Sequence, residues 1–365
     1  MSKTRDTRTI PLNLNTSDFD CIVVGQGLAG TCLSFELIRQ QKKVLVVDQD
    51  IGARCSAVAA GTFNPLVFKT FSPTWKAHEL LPYLKSFYLD LGSFLNRPIL
   101  NERSVVKSMK STDQRRLWNI KSQDEDSRPF MRSALEEKVH GVHSNHGFGF
   151  VEQSGNINML DMLREFRRQL GESSSLMEET LDYGLLVIEN DHVSYKGISA
   201  DYILFCQGLE NVKNPFFKHL PFIPAKGEIL VIESPELHTQ NIIHDRINIV
   251  PLGGITYWVG STFTWDNLNM EKTPEARVDL VDQLQDILEV PFKVVEHRVG
   301  IRPTVKDRRP LIGMHPEHGR IGIFNGLGTR GVMLAPYFAT HFVDHLYNGS
   351  DLNREVDIKR FSARG

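Results

Sequence analysis

The chain has 365 residues, 41% of them hydrophobic and 24% charged, with a formal net charge of −2. That length carries a large core and suggests two domains of ordinary size, and the near-neutral balance gives no global pull towards nucleic acid or an anionic membrane. No apolar run reaches the length of a membrane span, and the polar start, Met1 to Asn15, is no secretory signal, so a cytoplasmic protein with a loose leading tail is expected.

The first predicted element is a strand over Asp20–Val24, which meets Gly25-Gln-Gly27-Leu-Ala-Gly30 and a helix with Ala29, Cys32, Leu33 and Leu37 on one face. A second apolar run, Val44 to Val47, ends in Asp48. Each part has a physical task. Gly25 permits the tight strand-to-helix turn, Gly27 lets backbone approach a pyrophosphate, and Gly30 lets the helix lie close on the sheet. The helix start, with Leu28 and Ala29, offers unpaired N–H groups to phosphates, while Asp48 and Gln49 stand where an acid accepts from ribose hydroxyls. The pattern predicts a dinucleotide-binding α/β fold; an ordinary tight βα turn is the bland alternative.

Gly52 to Pro65 is too rich in small residues for an exposed loop, and small side chains let backbone lie against a flat ligand. The alternative is a helix start packed on its neighbours. Residues 75 to 95 read as helix, and the stretch to about 150 is more polar, with charge-rich loops near Ser122 to Ser127. His143 and His146 lack a third ligand and read as solvated loop residues, so no metal is expected. Asn158 to Leu170 is an amphipathic helix whose Arg164, Arg167 and Arg168 form a solvated face.

Ala200–Cys206 is a strand running into a turn at Gly208. Between 222 and 265, the runs Glu228–Ile232, Asn248–Val250 and Ile255–Gly260 suggest a second, mainly antiparallel sheet. Thr273 caps a helix that runs to Leu288. The last unit is the strand Gly319–Phe324, the turn Asn325-Gly326-Leu327-Gly328-Thr329-Arg330-Gly331, and an apolar helix from Val332 to Tyr347 interrupted by Pro336. This second set of helix-start N–H groups would stabilise an electron-accepting ring that becomes anionic. The cysteines, Cys21, Cys32, Cys55 and Cys206, form no C-x-x-C pair and read as reduced thiols.

With Pro224-Ala-Lys-Gly-Glu228 and Gly300-Ile-Arg-Pro-Thr-Val-Lys-Asp-Arg-Arg-Pro-Leu-Ile-Gly313, these motifs resemble the FAD-dependent amine oxidases grouped with D-amino-acid oxidase, glycine oxidase and sarcosine oxidase. The last turn is most similar to that of the oxidase half of the bifunctional bacterial enzyme that modifies the tRNA wobble uridine, whose methyltransferase half has no counterpart here. The resemblance implies non-covalent FAD, an FAD-binding Rossmann-like domain, and a substrate domain built on the antiparallel sheet. The expected boundaries are a tail over 1–17, the FAD domain from 18–78, 150–215 and 300–350, the substrate domain from 79–149 and 216–299, and a tail over 351–365.

Gly25, Gly27, Leu28, Ala29, Gly30, Asp48 and Gln49 would hold pyrophosphate and ribose. Arg54, Cys55, Ser56, Ala60, Gly61, Thr62 and Gly208 would line phosphates and flavin, with Gly326, Leu327, Gly328, Thr329, Arg330 and Gly331 at the flavin's N1 and O2 edge. No cysteine lies near the Gly300 string to attach the flavin. Arg302 would clamp a substrate carboxylate with two parallel hydrogen bonds, the alternative being a structural ion pair with Glu296 or Asp307. Arg330 is the second catalytic candidate, displaced by one position from the arginine of glycine oxidase. Asn248 stands where those enzymes often have a tyrosine; Lys226 and Asn64 complete the substrate-binding candidates.

The implied reaction is oxidation of the C–N bond of a small carboxylate-bearing amine by hydride transfer to flavin N5, with oxygen or another acceptor reoxidising the flavin. Three alternatives remain at this stage. One is removal of a carboxymethyl group from a modified tRNA uridine, with a basic face from Arg115, Arg116, Arg164, Arg167 and Arg168. The second is an NAD-dependent dehydrogenase. The third is a non-catalytic flavin-binding subunit of a larger dehydrogenase.

Overall fold

In the computed structural model, residues 19–49 and 55–361 are described. Phe19–Val24 forms a strand because its apolar residues suit a pleated surface covered on both faces, and Cys21 to Val24 are buried. Gly25 then takes φ +100°, and a Cβ there would lie 2.7 Å from the Cys206 carbonyl oxygen. The chain turns into the helix Leu28–Arg39 and returns as Val44–Val47, parallel to the first strand. A Cβ at Gly30 would strike the Gly25 carbonyl, so the helix rests directly on the turn.

Leu176–Met177, Val44–Val47, Phe19–Val24, Ile198–Phe205 and Ile321–Asn325 lie side by side and parallel. Leu311–Met314 pairs antiparallel with the last of them. Parallel strands end at a common edge, so the turns after Val24, Phe205 and Asn325 all open on the same side, where ligands of open α/β sheets bind.

The second sheet runs Lys293–Arg302, Ala225–Glu233, Thr256–Gly260, Asn248–Gly253, Ile242–His244, Val105–Ser108, Phe148–Val151. Its pairs are antiparallel except Ile242–His244 beside Val105–Ser108. One face, with Leu230, Ile232 and Val259, packs on Leu280 and Leu284 of the helix Pro274–Ile287. The other, with Ile229, Val231, Val250 and Trp258, joins the core that holds the helices of the first sheet. The stretch read as polar between 95 and 150 thus contributes two strands of this sheet, together with the helix Thr112–Lys121.

The helix Ala77–Phe94 packs on the last helix, Gly331–Asn348. Pro336 does not interrupt that last helix. A proline lacks the N–H that would bond the Val332 carbonyl one turn earlier, and the buried Tyr88 hydroxyl donates to that oxygen instead, at 3.0 Å. Beyond residue 350, Val356 and Ile358 are buried, and the Ile312 N–H donates to the Val356 carbonyl at 3.0 Å. Among the described residues, no helix is long and apolar enough to cross a membrane.

Candidate active site

The helix after the first glycine turn has no side-chain cap at Gly27, and the Ser56 hydroxyl accepts from the Leu28 N–H at 3.1 Å. Asp48 ends the second strand beside that turn and is 3% exposed. Its carboxylate accepts from the Gln26 N–H at 2.7 Å and from Arg167 at 2.8 Å. Arg167 therefore does not belong to a solvated face. It leans from the helix Met159–Glu172 to bracket Asp48 and Glu178, because a buried carboxylate requires a charge partner. The Gln49 side-chain oxygen accepts from the Thr180 hydroxyl at 2.6 Å.

Arg54 lies outside the described residues. Cys55 and Ser56 open the short helix Cys55–Val58, which is held on the second sheet by the Trp258 indole N–H donating to the Val58 carbonyl at 2.8 Å. The packed-helix alternative thus describes 55–58, while Ala60 is buried and Gly61, at φ +71°, turns the chain into the strand Thr62–Phe63.

The later glycine turns are tied together. The Asn325 side chain donates to the Gly208 carbonyl at 3.0 Å and accepts from the Gly326 N–H at 2.8 Å. Gly208, Gly326 and Gly328 all have positive φ. Leu327 is buried and Thr329 is exposed. At Gly331 a Cβ would lie 2.8 Å from the Leu28 side chain, so the first and last turns touch. The last helix has no side-chain cap either. Two adjoining helix starts whose own N-cap residues supply no side-chain acceptor, with only the Leu28 N–H taken by Ser56, join glycines where a Cβ would collide and an acid at the strand end in a donor and acceptor set that fits a dinucleotide.

Arg302 ends the strand Lys293–Arg302 opposite Ala225. Its guanidinium lies back across Gly227, where any Cβ would overlap it, and donates to the Ser261 hydroxyl. The Phe263 ring centroid is 5.0 Å from it. Nη1 is buried without a hydrogen-bond partner, and burial lowers the pKa of the group from its ordinary value. Neither sequence-near acid pairs with it: Glu296 bonds Arg298, and Asp307 bonds Arg360 at 2.8 Å. A Cβ on Gly300 would lie 3.3 Å from Cys55 Cα, so the same face meets the small-residue segment. The Cys55 thiol, remote in sequence from the Gly300 string, thus stands beside it in space, and burial pushes its pKa up.

Lys226 does not share a sheet face with Arg302. Register places it opposite Ile301, on the face away from Arg302, where its ammonium donates to the Glu271 carbonyl at 2.6 Å and the Asn269 side chain at 3.1 Å. Alternation along the strand is the reason. Asn248 is opposite Gly260, which is opposite Ile229, two residues along from Gly227, so Asn248 shares the Arg302 face. Its side-chain oxygen is 2.8 Å from Nδ1 of His244, a half-buried imidazole stacked on Phe68 at 3.9 Å, and burial pushes the His244 pKa down to about 4. The Asn64 side-chain oxygen accepts from the Leu66 N–H at 3.0 Å and so shapes its own turn. Arg330 is exposed and makes no hydrogen bond or ion pair among the described residues; partial desolvation, Arg308 and Arg309 lower its pKa.

Of the five arginines that the tRNA alternative would use as a basic face, Arg115 pairs with Glu137, Arg167 with Asp48, and Arg168 with Glu165 and Glu172. Sequence reasoning paired Gly227 with Lys226 as residues that could touch the site, and of the two it is Gly227 that meets Arg302. It missed Ser261, Phe263 and His244, and it placed Arg167 on a solvated face.

Residues 20–345 match the model of the FAD dependent oxidoreductase (DAO) family. The chain is 24% identical over 348 residues to glycine oxidase of Bacillus licheniformis, covering 87% of this chain and 90% of that protein. It is 26% identical over 370 residues to the tRNA 5-methylaminomethyl-2-thiouridine biosynthesis bifunctional protein MnmC of Idiomarina loihiensis, covering 94% of this chain and 59% of that one. The crystal structure of glycine oxidase from Geobacillus kaustophilus superposes with a TM-score of 0.72 at 18% identity, over 96% of this chain and 100% of that one, which shows a shared fold. The paired glycine turns and the match along most of the chain lead to one assignment: this protein belongs to the FAD-dependent oxidoreductase family of the glycine and amino acid oxidase kind.

Proposed function

We propose that this FAD-dependent oxidoreductase oxidises the C–N bond of a small amine that carries a carboxylate. One observation carries the reading: a guanidinium on the sheet face that meets the small-residue segment, with Nη1 buried and unpartnered and no carboxylate of the protein attached. A buried cationic donor without an acceptor is costly unless a ligand supplies one, and a carboxylate matches it with two parallel hydrogen bonds. The Ser261 hydroxyl and the nearby Phe263 ring position the guanidinium, so a carboxylate bound to it would fix the α-carbon relative to the cofactor.

The two glycine turns would hold FAD non-covalently, and the flavin would supply the acceptor for a hydride leaving the α-carbon, the imine product then being hydrolysed by water. Gly25, Gly27 and Gly30 would approach the pyrophosphate, Asp48 with Arg167 would face the ribose, and the N–H groups at the start of Gly331–Asn348 would stabilise negative charge. Hydride loss requires the amine lone pair, so substrate binds as the neutral amine.

The test is anaerobic loss of flavin colour on adding glycine, sarcosine and D- and L-amino acids. Arg302→Ala is expected to retain the flavin spectrum and lower kcat/KM for carboxylate amines about a hundredfold, the scale of a lost charge-assisted pair. Equal turnover in the variant removes Arg302 from the site, and no bleaching by any amine returns the protein to a binding role. A second reading, carboxymethyl removal from tRNA, is favoured by one feature: Arg308 and Arg330 form no ion pair among the described residues beside the last glycine turn. It requires RNA affinity that falls steeply with salt.

A further inference from the structure

The sheet face that carries Arg302 is apolar over most of its area, through Ile229, Val231, Val250, Trp258, Ile242 and Val105. At one end it becomes polar. Register pairs run across the strands from Gly260 to Asn248, from Asn248 to His244, and from His244 to Lys107, and paired residues project from the same face. Ser261, the partner of Arg302, follows Gly260 directly. A row of polar groups therefore leads from the guanidinium to a lysine at the far side of the sheet.

Lys107 is 4% exposed, and its ammonium has no hydrogen bond or ion pair among the described residues. Asp245, the acid whose charge it senses, is already committed to an ion pair with Lys110. Burial makes such a cation costly, and the Asp245 charge offsets only part of that cost. His244 occupies the Asn248 side-chain oxygen, which leaves the amide N–H groups of Asn248 as donors on the same face. Nothing in the carboxylate-clamp chemistry uses Lys107.

We propose that Lys107 and Asn248 form a second anion subsite, and that the substrate is an amine with two anionic groups, one on Arg302 and one on Lys107. This rests on the amine-oxidation reading given above. Three inter-strand steps separate Ser261 from Lys107, about 14 Å between backbones, and the lysine side chain shortens the gap, so the anions are separated by roughly 8 to 14 Å. Long dicarboxylic amines fit that span better than aspartate. A terminal carboxylate and a terminal phosphonate present the same anionic oxygen chemistry.

The test uses the FAD-loaded enzyme and compares 2-aminopimelate with its uncharged-chain counterpart 2-aminoheptanoate, in both enantiomers, together with an ω-phosphonate of equal length. Wild type is expected to prefer an anionic chain at least tenfold in kcat/KM, with the better of carboxylate and phosphonate identifying the group. Lys107→Met should collapse that ratio to within twofold of unity, and Asn248→Asp should lower it. No preference in wild type, or a preference that survives Lys107→Met in a protein with an unshifted melting point, overturns the proposal. Binding of pimelate against heptanoate, followed by perturbation of the flavin absorbance, gives the same comparison without turnover. If no amine bleaches the flavin while pimelate binds at least tenfold tighter and loses that advantage in Lys107→Met, the subsite stands and the oxidation reading falls.

Discussion

A methyl group at position 227 would occupy the space of the Arg302 guanidinium. Gly227→Ala is therefore expected to act on substrate rather than on the cofactor. The arginine must move off the strand, away from Ser261, and KM for carboxylate amines should rise tenfold or more. The flavin absorbance should remain as in wild type, because Gly227 is on the sheet and not in a glycine turn. Steady-state kinetics with an absorbance spectrum checks both halves. His244 gives a second prediction at this scale. Its pKa is held near 4 by burial, against an ordinary value of 6.5, so between these pH values the unfolded chain binds the proton that the native imidazole refuses. Stability then falls as pH drops through that window, by up to about 3 kcal/mol for this one group. Urea midpoints at pH 7.5 and 5 should separate less in His244→Gln than in wild type. The same residues show where the sequence was opaque. Arg167 sits among other arginines on a charged helix, and its partner Asp48 is 119 positions away. No spacing rule links them.

Elements were legible where a periodic pattern met a turn signal. Phe19–Val24 with its glycine turn, Thr273 as the cap of Pro274–Ile287, and the central runs of the second sheet follow from apolar spacing and capping chemistry. The short strands Val105–Ser108 and Phe148–Val151 offered too few residues for a period, and their pairing partners are distant in the chain. Facing direction was the other gap. Lys226 and Arg302 lie in motifs of equal apparent weight, and only the register, with Arg302 opposite Ala225, sends them to opposite sides of the sheet. Pro336 misled for a related reason: the sequence shows the missing N–H but not the hydroxyl that replaces it. Tyr88→Phe should accordingly destabilise the protein by about 1 to 3 kcal/mol, since it leaves the Val332 carbonyl buried and unpaired. A denaturant titration of the two proteins measures it. A change below a few tenths of a kcal/mol would mean that the last helix closes over Pro336 without this bond.

At the scale of the molecule, the residues proposed to hold the cofactor come from segments that are neighbours only after folding. The turns at 25–30 and 326–331 meet where Gly331 approaches Leu28, and the Asn325 side chain ties the second of them to Gly208. A ligand lying along these turns binds the native chain and not the unfolded one, so it stabilises by RT ln(1 + [L]/Kd), about 2.7 kcal/mol at a hundredfold excess over Kd. Stripping FAD should lower the melting temperature by several degrees, and adding it back should restore the transition in proportion to the logarithm of its concentration. Two variants separate the cofactor end from the substrate end. Asp48→Asn keeps an acceptor for the Gln26 N–H but removes the charge that faces Arg167, and it should weaken the response to FAD. Arg302→Met lies beyond the glycine turns and should leave that response intact while abolishing any added stabilisation by a non-oxidisable carboxylate. If the Arg302 variant instead loses the FAD response and the Asp48 variant keeps it, the guanidinium belongs to the cofactor site, and the division of labour between the two sheets must be reversed.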